Sequence, residues 1–244
     1  MIDALWSNLP YLLFGAFPHG PLGGAALTLV LAVSSALLSA AIGVVGGIGL
    51  AMTRGAAHLV LLAIVGFFRA IPVLMLIFWT FFLLPIVMHV EVPALGTVLV
   101  SLALIGGAYL AHAVEAGIAA VGSGQWNAGL ALGLDRWQTL RVVVMPQAVR
   151  IMMPSFVNQW VSLVKDTSLA YIVGVPELSF LANQVNSRLM VYPAQVFAFV
   201  ALIYIALCTL LDWVATRLTR AMSSPQRAPA SETNPAKVGE PSFR

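Results

Sequence analysis

The sequence predicts an all-α integral membrane protein with about five transmembrane helices. Three observations carry this: long apolar runs recur along the chain, charged residues are scarce, and the few bases collect in alternate loops. Hydrophobic residues make up 60% of the chain and charged ones 9%, against roughly 25% charged in soluble domains. Mean hydropathy is +0.96. Such a chain is solvated by lipid, and one membrane domain accounts for its 244 residues better than two soluble ones.

A hydrocarbon core about 30 Å thick takes about 20 apolar residues in helix. Runs of that length lie at Leu22 to Met52, Leu59 to Met88, Val92 to Val114 and Val196 to Ala215. A fifth crossing, Ala148 to Val175, is interrupted by Arg150, Pro154, Asn158, Gln159, Lys165 and Asp166. Those polar groups must face protein or water, because lipid satisfies none of them.

Residues 1 to 22 contain Asp3, Pro10, Pro18 and Pro21 and no Lys or Arg, which is unlike a cleaved signal peptide. They read as an interfacial N-terminal segment, with the membrane domain at 23 to 216. Residues 217 to 244 are rich in Pro, Ser and Ala with no apolar period, and read as a disordered tail. Five crossings put the termini on opposite sides, and loop bases set the direction. Arg54, Arg136, Arg141, Arg150, Arg217, Arg220, Arg227, Lys237 and Arg244 fall on one side, against Arg188 alone on the other. The N-terminus is therefore expected outside and the C-terminus in the cytoplasm.

Several functions are disfavoured at once. The bases are scattered singly rather than gathered in a stripe, so nucleic acid is not an expected partner. One cysteine, Cys208, allows no internal disulfide. No G-x-x-x-x-G-K-[ST] loop occurs, so any ATP must be hydrolysed by another subunit. Neither H-E-x-x-H nor G-x-S-x-G is present, which argues against a membrane-embedded hydrolase. A stand-alone ion-coupled transporter is the competing reading, and it leads one to expect more buried acids than Asp166 and Glu115. His112 and Glu115, three residues apart, suit a hydrogen bond along one helix and lack a third ligand for a metal. Gly43 and Gly47 have the small-xxx-small spacing that lets two helix backbones approach, and packing within the subunit is the expected use.

Between the third and fourth crossings lies a segment, about 118 to 146, too polar for lipid and too long for a turn. Trp126, Leu130, Leu134, Trp137 and Arg141 recur at spacings of three and four, which predicts one short amphipathic helix. Gly129 and Gly133 permit close backbone contact, and Gly122, Gly124 and Pro146 punctuate the ends. The stretch resembles the EAA signature of ATP-binding-cassette importer permeases at Asn127, Ala128, Gly129, Gly133, Val143, Met145 and Pro146. The spacing is intact, with Asn in place of the usual Glu and Gly in place of the second Ala.

More narrowly, the chain resembles the polar amino acid permeases, which import histidine, glutamate, glutamine, arginine and opines. The strings are FRAIP at Phe68 to Pro72, GQWNAGLALG at Gly124 to Gly133, MPQAVR at Met145 to Arg150 and KDTSLAYIVGVPEL at Lys165 to Leu178. The resemblance implies a type I importer (MetI-like) fold in a bacterial inner membrane, with a periplasmic N-terminus. It implies a coupling helix that docks on an ATPase subunit dimer through Asn127, Ala128, Gly129, Leu130, Gly133, Leu134, Trp137, Arg141 and Pro146. It further implies a second permease subunit, identical or related, and a periplasmic or lipid-anchored amino-acid-binding protein. ATP and Mg would be bound by the ATPase, and no cofactor by this chain. Related sequences carry Glu at the position of His112 and Arg at that of Glu115.

An ionisable residue at membrane depth costs roughly 2.5 to 3.5 kcal/mol on insertion scales, so each needs a reason. Arg69 is eleven residues into the second run, about 16 Å along a helix and hence expected at mid-bilayer. On the interrupted run, Asn158, Ser162, Lys165, Asp166 and Leu169 fall at helical spacings, and Gln159 and Thr167 flank them. That face is expected to line a cavity, with Pro154 a possible kink. Asp166 with Lys165 or Arg69 suits the two charged ends of a free amino acid. Arg69, Asn158, Gln159, Ser162, Lys165, Asp166 and Thr167 are the candidate substrate or gate residues.

Overall fold

A computed structural model describes residues 2–190 and 193–222, all of whose regular elements are helices. The chain begins with α1 (Ile2–Phe14) and α2 (Gly24–Met52). A bent pair follows: α3 (Ala56–Ala70), then α4 (Val73–Phe78), which passes through a π-helical turn at Trp79–Leu83 into α5 (Leu84–Met88). After α6 (Ala94–Ala120) come α7 (Ser123–Ala131) and the short α8 (Arg136–Thr139), then α9 (Met145–Asp166). A 3-10 turn at Thr167–Val173 leads to α10 (Leu178–Leu189) and α11 (Pro193–Met222).

The centre of the fold is the α2–α6 pair. On α2 the buried residues Leu31, Ser35, Ser39, Gly43 and Gly47 repeat every four positions, so one thin stripe faces α6. A Cβ on Gly43 would lie 2.4 Å from the Leu110 Cβ, and one on Gly47 would lie 2.5 Å from the Ala111 carbonyl oxygen. Gly107 of α6 returns the fit, its place for a Cβ being 2.6 Å from Ile42 Cγ2. The glycine spacing is thus spent on packing within the subunit, as expected.

These pairings fix the direction of every long helix. Gly43 meets Leu110 and Gly47 meets Val114, so α2 and α6 run parallel. Gly106 approaches Gln159 and Gly117 approaches Met152, so α9 runs antiparallel to both. Two parallel neighbours require the intervening chain to travel back along the bundle, and the α3–α5 segment makes that return. Four helical segments are long and apolar enough to cross a membrane, and the bent pair makes a fifth when its two halves are taken as one span. Gly24 sits beside Pro176 and Glu177, so α10 caps the end where α2 begins, while α7 and α8 lie at the other end.

Several elements refine the sequence reading. The second apolar run is not one straight crossing: it bends by 99° between Ala70 and Val73. Pro72 has no amide hydrogen to continue the α3 ladder, and it caps α4 instead. Arg69 sits in the last turn of α3 beside this corner, near the middle of the bent pair. Pro154, by contrast, does not interrupt α9, which is assigned as continuous from Met145 to Asp166. Finally, α1 belongs to the bundle, since Leu12 is fully buried against residues of α10 and α11, including Leu181, Val185 and Val196. The expected tail begins inside α11, which continues to Met222, and its remainder, 223–244, lies outside the described residues.

Candidate functional site

α9 buries Met152, Phe156, Val157, Leu163 and Val164 in the core, and beside them it carries a polar face. On that face Ser155, Asn158, Gln159 and Ser162 follow at i, i+3, i+4 and i+7. With Tyr109, Leu110 and Ala113 of α6 they line a cavity of about 320 Å³. Small side chains at Ala113 and Ser155 leave the space, and amides and hydroxyls furnish both donors and acceptors.

Arg69 joins this site through one ring. Its guanidinium lies 5.3 Å from the centre of the Tyr109 ring, and the Tyr109 hydroxyl donates to the Arg69 carbonyl oxygen at 3.5 Å. The cavity therefore has a neutral polar lining with a cation one aromatic ring away, an arrangement suited to a carboxylate-bearing polar solute. Tyr109 and Ser155 were not singled out in the sequence. Ser155 was legible, being one turn before Asn158 and Gln159, but nothing local marks Tyr109, which matters because α3 folds back onto it.

The polar stripe divides where a single lining was expected. Lys165 opens onto a different cavity of about 300 Å³ with Ser168, Ser179, Phe197, Val200, Ala201 and Tyr204. Asp166 is half-buried at the last residue of α9, lining neither cavity. Thr167 is wholly buried and donates to the Val164 carbonyl oxygen at 2.7 Å, so its hydroxyl faces the helix end and not a cavity. Leu169 packs beside the apolar core around Leu163 and Ala170. Thr167 and Leu169 lie beyond Asp166, where the backbone tightens to 3-10 geometry and the 3.6-residue spacing no longer holds.

Next to the Lys165 cavity, Glu177 is fully buried. It caps α10, accepting from the backbone amides of Ser179 and Phe180 at 2.9 Å each and from the Tyr204 hydroxyl at 2.8 Å. Burial pushes its carboxyl up to about 7, against the pull of the Ser179 amide, the Tyr204 hydroxyl and the Phe180 amide. The Leu178 amide donates to Thr28 Oγ1 of α2, so this corner fastens α2, α10 and α11 together.

At the opposite end, the expected single amphipathic helix is two helices with a turn. α7 stops in a Schellman motif, in which the Leu134 amide donates to the Gly129 carbonyl and the Gly133 amide to that of Leu130. Gly133 adopts φ +84°, a left-handed conformation that glycine takes without cost. Asp135 then opens α8 with a capping box, exchanging hydrogen bonds with Gln138. Trp126 therefore turns inward onto the core around Val144 and Ala148, and Leu134 is half-buried in the turn.

Gly129 is buried against Thr139, whose Cγ2 would lie 2.6 Å from an added Cβ, so its close contact is made inside the subunit. Asn127, Ala128, Leu130, Trp137, Arg141 and Pro146 remain exposed, joined by Leu132, which is 81% exposed. His112 Nδ1 and Glu115 Oε2 are 3.2 Å apart, the local pairing their spacing suggested. No group of three or more metal-binding side chains exists among the described residues.

Five membrane-length segments, a polar cavity between two of them and a solvent-facing helical hairpin at one end define a polytopic membrane transport subunit. The chain belongs to the family described as binding-protein-dependent transport system inner membrane component, whose model matches residues 43–224. It is a permease subunit of an ATP-binding-cassette importer, multi-pass in the inner membrane. The glutamine transport system permease protein of Escherichia coli K12 is 29% identical over 224 residues, covering 90% of this chain and 96% of that protein. A probable glutamine permease of Bacillus subtilis 168 is 34% identical over 197 residues, covering 80% and 90%. In structure the chain is similar to an amino acid ABC transporter crystallised with histidines, with a TM-score of 0.74 at 22% identity over 81% of this chain and 92% of that one. An inward-facing methionine ABC transporter superposes with a TM-score of 0.70 at 23% identity over 81% and 94%.

Proposed function

We propose that this permease passes polar amino acids through the cavity between α6 and α9, driven by ATP hydrolysis on a separate subunit. The observation that carries the reading is the cavity itself: seven lining residues, five of them polar, between two membrane-length helices and beside the guanidinium of Arg69, which has no carboxylate partner among the described residues. Asn158, Gln159 and Ser162 contact the solute and Arg69 attracts its carboxylate, while Lys165, Asp166 and Thr167 act at the gate, where α9 gives way to the 3-10 turn. The glutamine relatives support a small polar amino acid as the cargo.

The α7–α8 hairpin is the coupling element. Leu130, Leu132 and Trp137 offer apolar anchors, with Arg136 and Arg141 at the rim, to a groove on an ATPase dimer that holds the ATP and Mg. Asn127, Ala128 and Pro146 border that contact, whereas Gly129, Gly133 and Leu134 shape the hairpin. A second permease subunit, identical or related, completes the pathway, and a periplasmic or lipid-anchored binding protein delivers the solute. This chain performs no catalysis of its own. Its N-terminus, with residues 1–22, faces the periplasm, residues 23–216 form the membrane domain, and the C-terminal segment from 217 is cytoplasmic, in keeping with the loop bases.

The test is reconstitution. The chain purified with its ATPase and placed in vesicles with the binding protein should take up amino acid only when ATP is supplied on the hairpin side. Uphill uptake by the chain alone on an ion gradient would refute the reading.

A further inference from the structure

The largest of the described cavities, about 510 Å³, is unused by that pathway. It lies on α10, at the end of the bundle opposite the α7–α8 hairpin, and is lined by Tyr171, Phe180, Asn183, Gln184, Ser187 and Arg188. Its hydrogen-bonding groups are already sorted by their internal bonds. Asn183 spends its amide donor on the Ser179 carbonyl at 2.9 Å, which leaves its side-chain oxygen free to accept. Ser187 spends its hydroxyl hydrogen on the Asn183 carbonyl at 2.9 Å and likewise keeps lone pairs.

Gln184 shows the reverse. Its side-chain oxygen accepts from the Tyr11 hydroxyl, so its amide nitrogen remains to donate. The Arg188 guanidinium rests on the Tyr11 ring at 4.9 Å and has no carboxylate partner among the described residues. The wall thus presents the Arg188 and Gln184 donors and the Asn183 and Ser187 acceptor oxygens, with the Tyr171 hydroxyl and the second Asn183 N–H beside them. A carboxylate matches the donors and an ammonium the acceptors.

We propose that this pocket is a receiving site for a free zwitterionic amino acid, with Arg188 and Gln184 holding the carboxylate and Asn183 and Ser187 the ammonium. The proposal rests on the reading that the chain transports amino acids, and it adds a site separate from the α6–α9 cavity. Solute released at this end meets the Arg188 pocket before the membrane cavity.

The test uses the complete complex with its ATPase, in lipid nanodiscs without binding protein, titrated calorimetrically with L-glutamine and with its decarboxylated analogue. Two sites per permease chain are expected for glutamine. Arg188→Gln should remove one of them or weaken it about tenfold, the worth of one charge-assisted hydrogen bond, as should Asn183→Leu on the ammonium side. The analogue should bind wild type at that site no better than glutamine binds Arg188→Gln.

Asn158→Ala should abolish the other site and spare this one. If Arg188→Gln leaves both sites intact, the receiving site is wrong while the α6–α9 pathway stands. If no variant and no wild type binds glutamine, both readings fail. In a parallel titration of the same nanodiscs with the binding protein, weaker docking to Arg188→Gln with both glutamine sites intact would assign the carboxylate to an acidic side chain of that protein and overturn the proposal.

Discussion

The α2–α6 seam and the α7–α8 hairpin use glycine for opposite ends. In the seam, Gly43 and Gly47 are places where another backbone or side chain already fills the space of a Cβ. In the hairpin, nothing lies within 4 Å of the Cβ that Gly133 lacks, and its value is the left-handed turn. Gly129 stands between them, buried by Thr139 yet far from the bundle centre. A seam glycine holds the membrane bundle together, and a hairpin glycine sets only the shape of a surface that a partner grips.

Gly47→Leu should break the comparison most severely. Its first side-chain atom would fall 2.5 Å from the Ala111 carbonyl oxygen and the Val114 Cβ, and neither can retreat along a helix. The overpacking is expected to cost 3 kcal/mol or more, on the order of the worst core insertions, and to abolish monodisperse protein in detergent. Normal yield and melting temperature for this variant would remove the close-approach account of the seam.

The next effect belongs to the corner at the other end. The Glu177 carboxyl is raised from 4.5 to about 7 by burial, so the folded state holds its proton more tightly than the unfolded chain does. Its contribution is fully present below about pH 4.5 and is lost as pH rises through about 7, an effect of roughly 3 kcal/mol between those limits. Melting followed from pH 5 to 8 should show stability falling across that window. Glu177→Gln keeps an acceptor for one of the two amides, loses the titrating group and should flatten the profile. An unchanged slope in the Gln variant would locate the pH dependence elsewhere.

Hairpin substitutions come lower on the stability scale and are read by coupling. Gly129→Val must displace Thr139 and should cost about 1 to 3 kcal/mol, visible as hydrolysis by the associated ATPase that no longer drives uptake. Gly133→Ala places a side chain at φ +84° and should cost about 1 to 2 kcal/mol, with the bundle intact and transport per ATP reduced. Leu132→Ser, at an 81% exposed position, should leave the melting point within the scatter of surface changes, about 0.5 kcal/mol, and weaken only ATPase binding. If Gly133→Ala and Leu132→Ser both preserve full coupling, the hairpin is not the transmitting surface.

The comparison also explains why one region was easier to read than the other. The seam rests on a repeat of four residues, and both the spacing and its use within the subunit followed from Gly43 and Gly47. The hairpin obeyed the same kind of periodicity from Trp126 to Arg141 and yet is not one helix. Gly133 and Asp135 are turn and cap signals, and they outweigh the apolar spacing because a Schellman motif and a capping box satisfy backbone groups that a continued helix would satisfy no better.

The same conflict decided the second crossing, where an unbroken apolar composition concealed the corner before Pro72. Hydropathy registers what lipid tolerates, not whether the hydrogen-bond ladder is continuous. The α9 stripe lines one cavity through Ser162 and a second at Lys165, and beyond Asp166 the chain changes helix type.

The sequence by itself determined that this chain is a helical protein that lives in lipid and crosses it several times, because burial in a bilayer depends chiefly on composition and length. Tertiary structure alone decided that Tyr109 belongs with Arg69 and Gln159, that Lys165 faces away from Asn158, and that Arg188 looks into a pocket. Those facts depend on how parallel and antiparallel helices are set against one another. Contacts between residues forty to two hundred positions apart leave no periodic trace in the chain that makes them.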